Sequence, residues 1–213
     1  MSQTIVINAE ARADVGKGAS RRLRRDGVQV PAILYGGEQP PVNLALNYRE
    51  LAKAMQSEAF YSQVLQLNTP DGAQSAIVKD VQRHPASEFV IHMDFQRVRA
   101  DQPVEVHVPL HFINEAACVG VKDGGGAIRH ALNEVIVRAL PGQLPEFIEI
   151  DVINLNVGDS LHLSDLKLPE GVELVELSLG EDHDLAVVSV QAPRGGTDAE
   201  DEDTEADSED EQD

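Results

Sequence analysis

Apolar residues along the chain recur mostly with a period of two, which is the spacing of half-buried strands. Short β-branched or aliphatic runs occur in "TIVINAEAR", "VPAILYGG", "VNLALN", "SQVLQLN", "QSAIVKDVQRH" and "SEFVIHMDFQRV", each closed by Gly, Pro, Asn or Asp. Asp71-Gly72 marks a hairpin between two of them, and His84-Pro85-Ala86-Ser87 a turn between the next two. In the last run Phe89, Ile91, Met93 and Phe95 share one face, while His92, Asp94 and Gln96 share the other. Two stretches break the rhythm. "YRELAKAMQSEAFYS" predicts one helix with Leu51, Ala54 and Met55 on a single face. "ASRRLRRDG" predicts a shorter helix: Gly16 and Gly18 let the backbone turn around Lys17, Ser20 serves as cap or first-turn residue, and Gly27 stands just past the end. Only Leu23 is strongly apolar in that second helix, so most of its surface must meet water or a polyanion.

A new unit begins near Asp101-Gln102-Pro103 and reads as nearly all strand. "VEVHVPLHFI" alternates strongly; "NEVIVRAL", "EFIEIDVI" and "DLAVVSV" are β-branched, with Gly124-Gly125-Gly126, Pro141-Gly142, Gly158-Asp159 and Pro169-Glu170-Gly171 between them. The glycine triplet reads as a flexible connection. Beyond these strands "GGTDAEDEDTEADSEDEQD" has no apolar side chain larger than alanine and is expected to be disordered. The fold class expected is therefore mainly β with short helices (α+β), divided into residues 1–97, a second β-rich domain over 98–192, and an acidic tail over 193–213.

The chain's 213 residues, 42% of them hydrophobic, suffice for two cores, and with aromatics at 4% those cores must be aliphatic. The lone Cys118 forms no internal disulfide and reads as a partly buried structural residue. No run reads as a signal peptide or as the ~20 apolar residues of a membrane span, so a cytoplasmic protein is expected. Net charge is -20, but unevenly placed: residues 1–94 are neutral, 95–194 carry -9, and 195–213 carry -11. Within the neutral part six cations against one acid, Asp14, lie between Arg12 and Arg25. Such polarity is the footprint of a charged partner.

Catalytic and metal chemistry find little support. Histidines are scattered, His107 and His111 share a strand face only with Pro109 between them, and no Cys-x-x-Cys exists. "GKG" lacks the earlier glycine and following Ser or Thr of a phosphate loop, because Ala11 and Gly18 occupy those places. No catalytic residue, metal ligand or cofactor is therefore assigned. The basic stretch fits nucleic acid better: Lys17 sits beside a helix start that attracts anions, and Arg21, Arg24 and Arg25 recur at helical spacing. Pairing of those arginines with Asp14, Asp26 and the acids of the second half is the plainer alternative, disfavoured by their density around a single anchor. His92 and Asp94, with Gln82 or Arg83, add a hydrogen-bonding sheet face suited to a folded RNA.

The residues "NAEARADVGKGASRRLRRDGVQVPAILYGG", with "KDVQRHP" and "HMDF" downstream, closely resemble the bacterial L-twenty-five family of large-subunit ribosomal proteins that bind 5S ribosomal RNA. The two-part layout, with "LPEFIEIDV" and "LHLSDLKLPEGV", is similar to the long form called general stress protein CTC. This resemblance implies an amino-terminal β-barrel-like RNA-binding domain and a non-enzymatic, ribosome-associated role. By its motifs Arg12, Lys17, Ser20, Arg21, Arg22 and Arg24 would contact phosphates and sugars, and Tyr35 ribose or backbone. Gln82, Arg83, His92 and Asp94 would complete the sheet-side surface. The implied partners are 5S ribosomal RNA and the large ribosomal subunit, with neighbouring ribosomal proteins through the second domain, and neither DNA nor membrane. A competing class is a stress-related protein-interaction module whose RNA contact is incidental.

Overall fold

The computed structural model describes residues 5–25 and 27–192; Asp26 and the acidic tail with its expected disorder lie outside them. Six strands form a closed barrel: β1 (Val6–Ala11), β2 (Gln29–Tyr35), β3 (Val42–Asn47), β4 (Leu65–Thr69), β5 (Gly72–Arg83) and β6 (Val90–Arg97). Their order around the barrel is β1-β3-β2-β6-β5-β4, with β1/β4 and β2/β6 parallel and the other pairs antiparallel. Inward positions carry Leu34, Leu44, Leu46, Leu67, Met93 and Phe95, all fully buried. Burial of each such side chain is worth about 1.5–3 kcal/mol, which is why alternation alone places these strands. The β4–β5 turn falls at Pro70-Asp71, and Gly72 pairs with Thr69 as the first residue of β5.

Three helices accompany the barrel: α1 (Lys17–Arg25), α2 (Tyr48–Ala54) and α3 (Ala59–Ser62). The single helix expected over 48–62 is thus two. Asn47 caps α2 by accepting from the backbone amides of Arg49 and Glu50, at 2.9 and 3.4 Å, and α2 buries Leu51. In an unbroken helix Phe60 would lie roughly half a turn around the axis from Leu51, facing away from the core. The break at residues 55–58 lets both side chains be fully buried.

Simple alternation also fails in β6. Gln82 pairs with His92 but Arg83 pairs with Val90, so Ile91 is an extra residue, and Val90 and Met93 both point into the barrel. Phe89 and Ile91, expected in the core with Met93 and Phe95, are half-buried outside it. The Phe89 ring instead stacks on Tyr48, with centroids 4.3 Å apart.

The remaining strands are β7 (Val104–Ile113), β8 (Ala127–His130), β9 (Glu134–Ala139), β10 (Ile148–Asp151), β11 (Ser160–His162), β12 (Val172–Leu174) and β13 (Ala186–Gln191), with a helical turn, α4 (Val119–Lys122), between β7 and β8. They form sheets ordered β10-β7-β9-β12 and β11-β13-β8 around a second aliphatic core. Cys118 is fully buried there, and its thiol donates to the Leu155 carbonyl at 3.3 Å. The glycine triplet is not a flexible connection. A Cβ on Gly124 would stand 2.4 Å from Val157 Cγ2, one on Gly126 2.8 Å from Val190 Cγ1, and the Gly126 amide donates to the Gly120 carbonyl at 2.9 Å. Glycine is required because backbone meets backbone and the walls of the core.

The two cores are joined by a third small cluster. Ile77, on the outside of the barrel, is fully buried against Val104 and Val106 of β7. Around it the Ser62 hydroxyl donates to the Glu146 carbonyl at 3.0 Å, Lys79 Nζ to the Glu105 carbonyl at 3.3 Å, and His111 Nε2 meets Glu58 Oε2 at 2.5 Å. No helix among the described residues is long and apolar enough to cross a membrane.

Candidate nucleic-acid interface

Gly16, at φ 93°, makes the turn into α1, and the helix starts at Lys17 rather than beyond Gly18. Ser20 is therefore a first-turn residue, its amide donating to the Gly16 carbonyl at 3.1 Å. Gly27, at φ 64°, lies just past the end, where the left-handed conformation is easiest for glycine. No side chain of this nine-residue helix is fully buried. Ala19, Ser20, Leu23 and Arg24 are half-buried, whereas Lys17, Arg21, Arg22 and Arg25 are exposed. Two hydrogen bonds tether the helix: Arg12 Nη1 donates to Ser20 Oγ at 3.0 Å, and Arg24 Nη1 donates to the Ile91 carbonyl at 3.2 Å. Arg12, Ser20 and Arg24 thus already have work within the fold, positioning the cations around them.

The exposed cations are hardly engaged. Arg22 lies 4.0 Å from Asp14 with both side chains mostly in solvent, an arrangement worth little. Among the described residues Lys17, Arg21 and Arg25 form no ion pair. Four like charges on one short surface repel one another, and an anionic partner relieves that repulsion.

The second part of the surface is the outer wall of β2, β6 and β5. Paired residues in adjacent strands face the same side, so the register lays out rows. Ile33, Asp94 and Asp80 form one row, Tyr35 and Gln96 lie in the next, and His92 stands opposite Gln82. His92 Nδ1 is 2.7 Å from Asp94 Oδ1, which fixes the ring on the carboxylate. The Tyr35 phenol is pushed above its ordinary value of 10.0, first by partial burial and then by the charges of Asp94 and Asp80. It is therefore a protonated hydrogen-bond donor at neutral pH. Arg97 supports this edge from behind, donating to Gln74 Oε1 at 2.7 Å and to the carbonyls of Gly36 and Pro40 at 3.1 and 3.2 Å.

Gln82, His92, Asp94 and Tyr35 are thus brought together on one wall. Arg83 is not among them: it pairs across from the inward Val90, and its Nη2 donates to the Tyr61 hydroxyl at 2.8 Å. Asp80 joins the wall although sequence reasoning passed it over. Strict alternation from Ala76 and Val78 would turn Asp80 inward, but the register shifts between Val78 and Asp80, so Val81 packs on the core instead. Val81, one residue out of step with that alternation, was the signal for the bulge.

No group of three or more His, Cys, Asp or Glu able to hold a metal ion occurs among the described residues. What the fold and site define is a β-barrel carrying a tethered cationic helix beside a wall of hydrogen-bonding groups, an arrangement for binding an anionic surface. Residues 7–95 match the family model described as the ribosomal L25p family, and residues 103–194 the one described as ribosomal protein TL5, C-terminal domain. A protein of Hahella chejuensis named large ribosomal subunit protein bL25 is 54% identical over 92% of this chain and 94% of its own. One of the same name from Saccharophagus degradans is 49% identical over 98% and 99%, and one from Pseudomonas aeruginosa is 51% identical over 89% and 92%. The chain belongs to the ribosomal L25p family, in the long form with a TL5-type second part, a family of structural ribosomal proteins and not of enzymes.

Proposed function

We propose that this protein is a structural component of the large ribosomal subunit in the cytoplasm that docks on folded 5S ribosomal RNA through α1 and the outer β2-β6-β5 wall. The observation that carries this reading is the placement of cations: the densest basic stretch of an acidic chain lies on a helix with no buried side chain, held beside a polar wall by Arg12 and Arg24. Lys17, Arg21 and Arg22 neutralise phosphate, while Arg12, Ser20 and Arg24 fix the helix and reach the backbone from its edge. Tyr35 donates to ribose or phosphate. On the wall, His92 and Gln82 offer groups for base edges or 2'-hydroxyls, and Asp94 accepts from base amino groups. An anion facing RNA is unfavourable unless it accepts such bonds, so Asp94 discriminates where the arginines only attract. Arg83, exposed next to Gln82 and bonded to the Tyr61 hydroxyl, adds its charge from the rim of the wall.

The names of the relatives support the subunit, and the family resemblance supports the RNA. The domains follow as residues 1–97 for RNA and 98–192, at a net charge that repels RNA, for a neighbouring ribosomal protein or solvent. Titration of the full-length chain with 5S ribosomal RNA tests the proposal. With about four to six phosphates neutralised, log affinity falls against log salt with a slope of about -3 to -5. Binding without salt dependence, or none in dilute buffer, would falsify it.

A further inference from the structure

The bulge at Ile91 has a second effect. It turns two large apolar side chains, Phe89 and Ile91, outward beside the most cationic helix of the molecule. They line a pocket of about 420 Å³ whose other walls are Arg21, Arg24, Arg25 and His84. That volume is within the range of small-ligand sites. The floor is fixed: the Phe89 ring lies on Tyr48, and the Ile91 carbonyl holds Arg24 at 3.2 Å. The far wall is a closed turn, with the His84 amide donating to the Phe89 carbonyl at 2.8 Å and the Glu88 amide to the His84 carbonyl at 2.9 Å. An apolar floor under a cationic rim suits a ligand with a flat uncharged face and an attached anion.

We propose that this pocket receives one unstacked nucleotide of the bound RNA, its base lying on Phe89 and Ile91 and its phosphate between Arg21 and Arg25. The inference rests on the RNA-binding reading above and adds to it a site distinct from the polar wall. Charge complementarity selects the occupant: a purely apolar segment would leave the Arg21 and Arg25 guanidinium groups without an anion, and an acidic peptide backbone offers no flat face for the floor. Bases splayed from single-stranded loops or bulges are the elements that RNA-binding proteins stack on aromatic rings or arginine planes. Stacking of this kind is sequence-tolerant, so the pocket adds affinity and sets the position of the RNA, leaving selection to the wall.

Ser87, exposed on the rim, gives access without disturbing the core. In Ser87→Trp the new indole fills the pocket, and Phe89→Leu removes the ring while keeping the floor apolar. Full-length wild type and both variants are bound to 5S ribosomal RNA and each unpaired base is probed with a base-specific reagent. One unpaired base should be protected by wild type and reactive with Ser87→Trp, with affinity reduced roughly 5- to 150-fold, the range of one lost base stack. An RNA made abasic at that position should bind wild type and Ser87→Trp equally. If wild type binds but protects no unpaired base, or if Ser87→Trp weakens the abasic RNA as much as the intact one, the pocket takes no nucleotide although the wall and helix still bind. If wild type does not bind 5S ribosomal RNA at all, the broader reading fails and this one with it.

Discussion

Charged groups are used differently in the two parts of the molecule. In the second part several of them are held by hydrogen-bonding partners of the fold: Arg138 Nη2 donates to Glu105 Oε1 at 2.7 Å, Asn114 to Asp151 at 2.9 Å, and the Ser164 hydroxyl to Asp184 at 2.8 Å. On α1 the reverse holds, since Lys17, Arg21 and Arg25 pair with nothing among the described residues and Arg22 only grazes Asp14. Paired charge belongs to the fold, whereas cations left unpaired beside one another raise its energy slightly and are explained by a partner outside it. Removing charge should therefore affect stability in the second part and binding in the first.

The two parts share one small apolar contact, and Ile77 is where it is most easily broken. Ile77→Ala removes a fully buried side chain from the cluster with Val104 and Val106, at a cost of about 2–5 kcal/mol. Denaturant unfolding followed at both cores should then resolve into two transitions, where the wild type shows one. A variant that still unfolds in a single step with its midpoint unchanged would show that this cluster contributes nothing. The same contact means that a fragment ending at residue 97 exposes Ile77, so weak RNA binding by such a fragment would reflect lost packing as well as lost contacts.

A smaller effect, confined to the second part, is expected at Gly126. Its Cβ would press on Val190 and on the Gln191 and Gly120 carbonyls, at 2.8–2.9 Å, so Gly126→Ala should cost about 1–3 kcal/mol by overpacking. Calorimetry should show that loss while affinity for 5S ribosomal RNA in dilute buffer stays at the wild-type value. An unchanged melting temperature in the Gly126→Ala variant would mean that α4 and β8 have room to move apart.

Arg21→Ala should do the opposite. Its side chain is exposed and forms no ion pair among the described residues, so stability should change by less than about 0.5 kcal/mol. The salt slope of RNA binding should become shallower by about 1, and affinity should fall for cognate and unrelated RNA alike. Asp94→Ala is the contrasting variant, expected to reduce the preference for cognate RNA more than the salt slope. Identical behaviour of the two variants on cognate and scrambled RNA would dissolve the division between helix and wall.

How much of this was legible in the sequence depends on how local each cause is. Strands with apolar residues at every second position, such as β3 and β7, were readable because alternation is a property of the strand itself. So was α1, whose lone apolar Leu23 and flanking glycines need no tertiary information. What escaped depends on register. The bulges at Lys79 and Ile91 exist because β5 and β6 must match across the barrel, and they decide that Asp80 joins the wall, that Phe89 and Ile91 leave the core, and that Arg83 turns to Tyr61. The break between α2 and α3 serves Phe60, whose burial is settled by the closed barrel and not by the helical pattern. Crowding at Gly124 and Gly126 comes from Val157 and Val190, distant in sequence, so three glycines in a row read as a linker.

The smallest expected effect is on the pH dependence of the second part. The Glu105 carboxyl is held below its ordinary value of 4.5, first by the hydrogen bond from Arg138 and further by the charges of Arg138 and Lys79, against an opposing effect of partial burial. A carboxylate whose value is depressed by folding stabilises the native state above the unfolded value and ceases to do so as pH falls through the folded one. Its contribution is thus complete at neutral pH and disappears on acidification below about 4.5. Both side chains of the pair are 41% exposed, so solvent screening leaves only a few tenths of a kcal/mol. Glu105→Gln should lower stability by that amount at pH 7 and flatten the acid limb of the stability curve. The residual slope comes from Asp151 and Asp184, both also depressed by their hydrogen bonds. Arg21→Ala, measured alongside, should leave the acid limb as it is, because Arg21 forms no ion pair with a carboxylate among the described residues. Should Arg21→Ala flatten the curve and Glu105→Gln leave it alone, the assignment of paired charge to folding and unpaired charge to binding would be reversed.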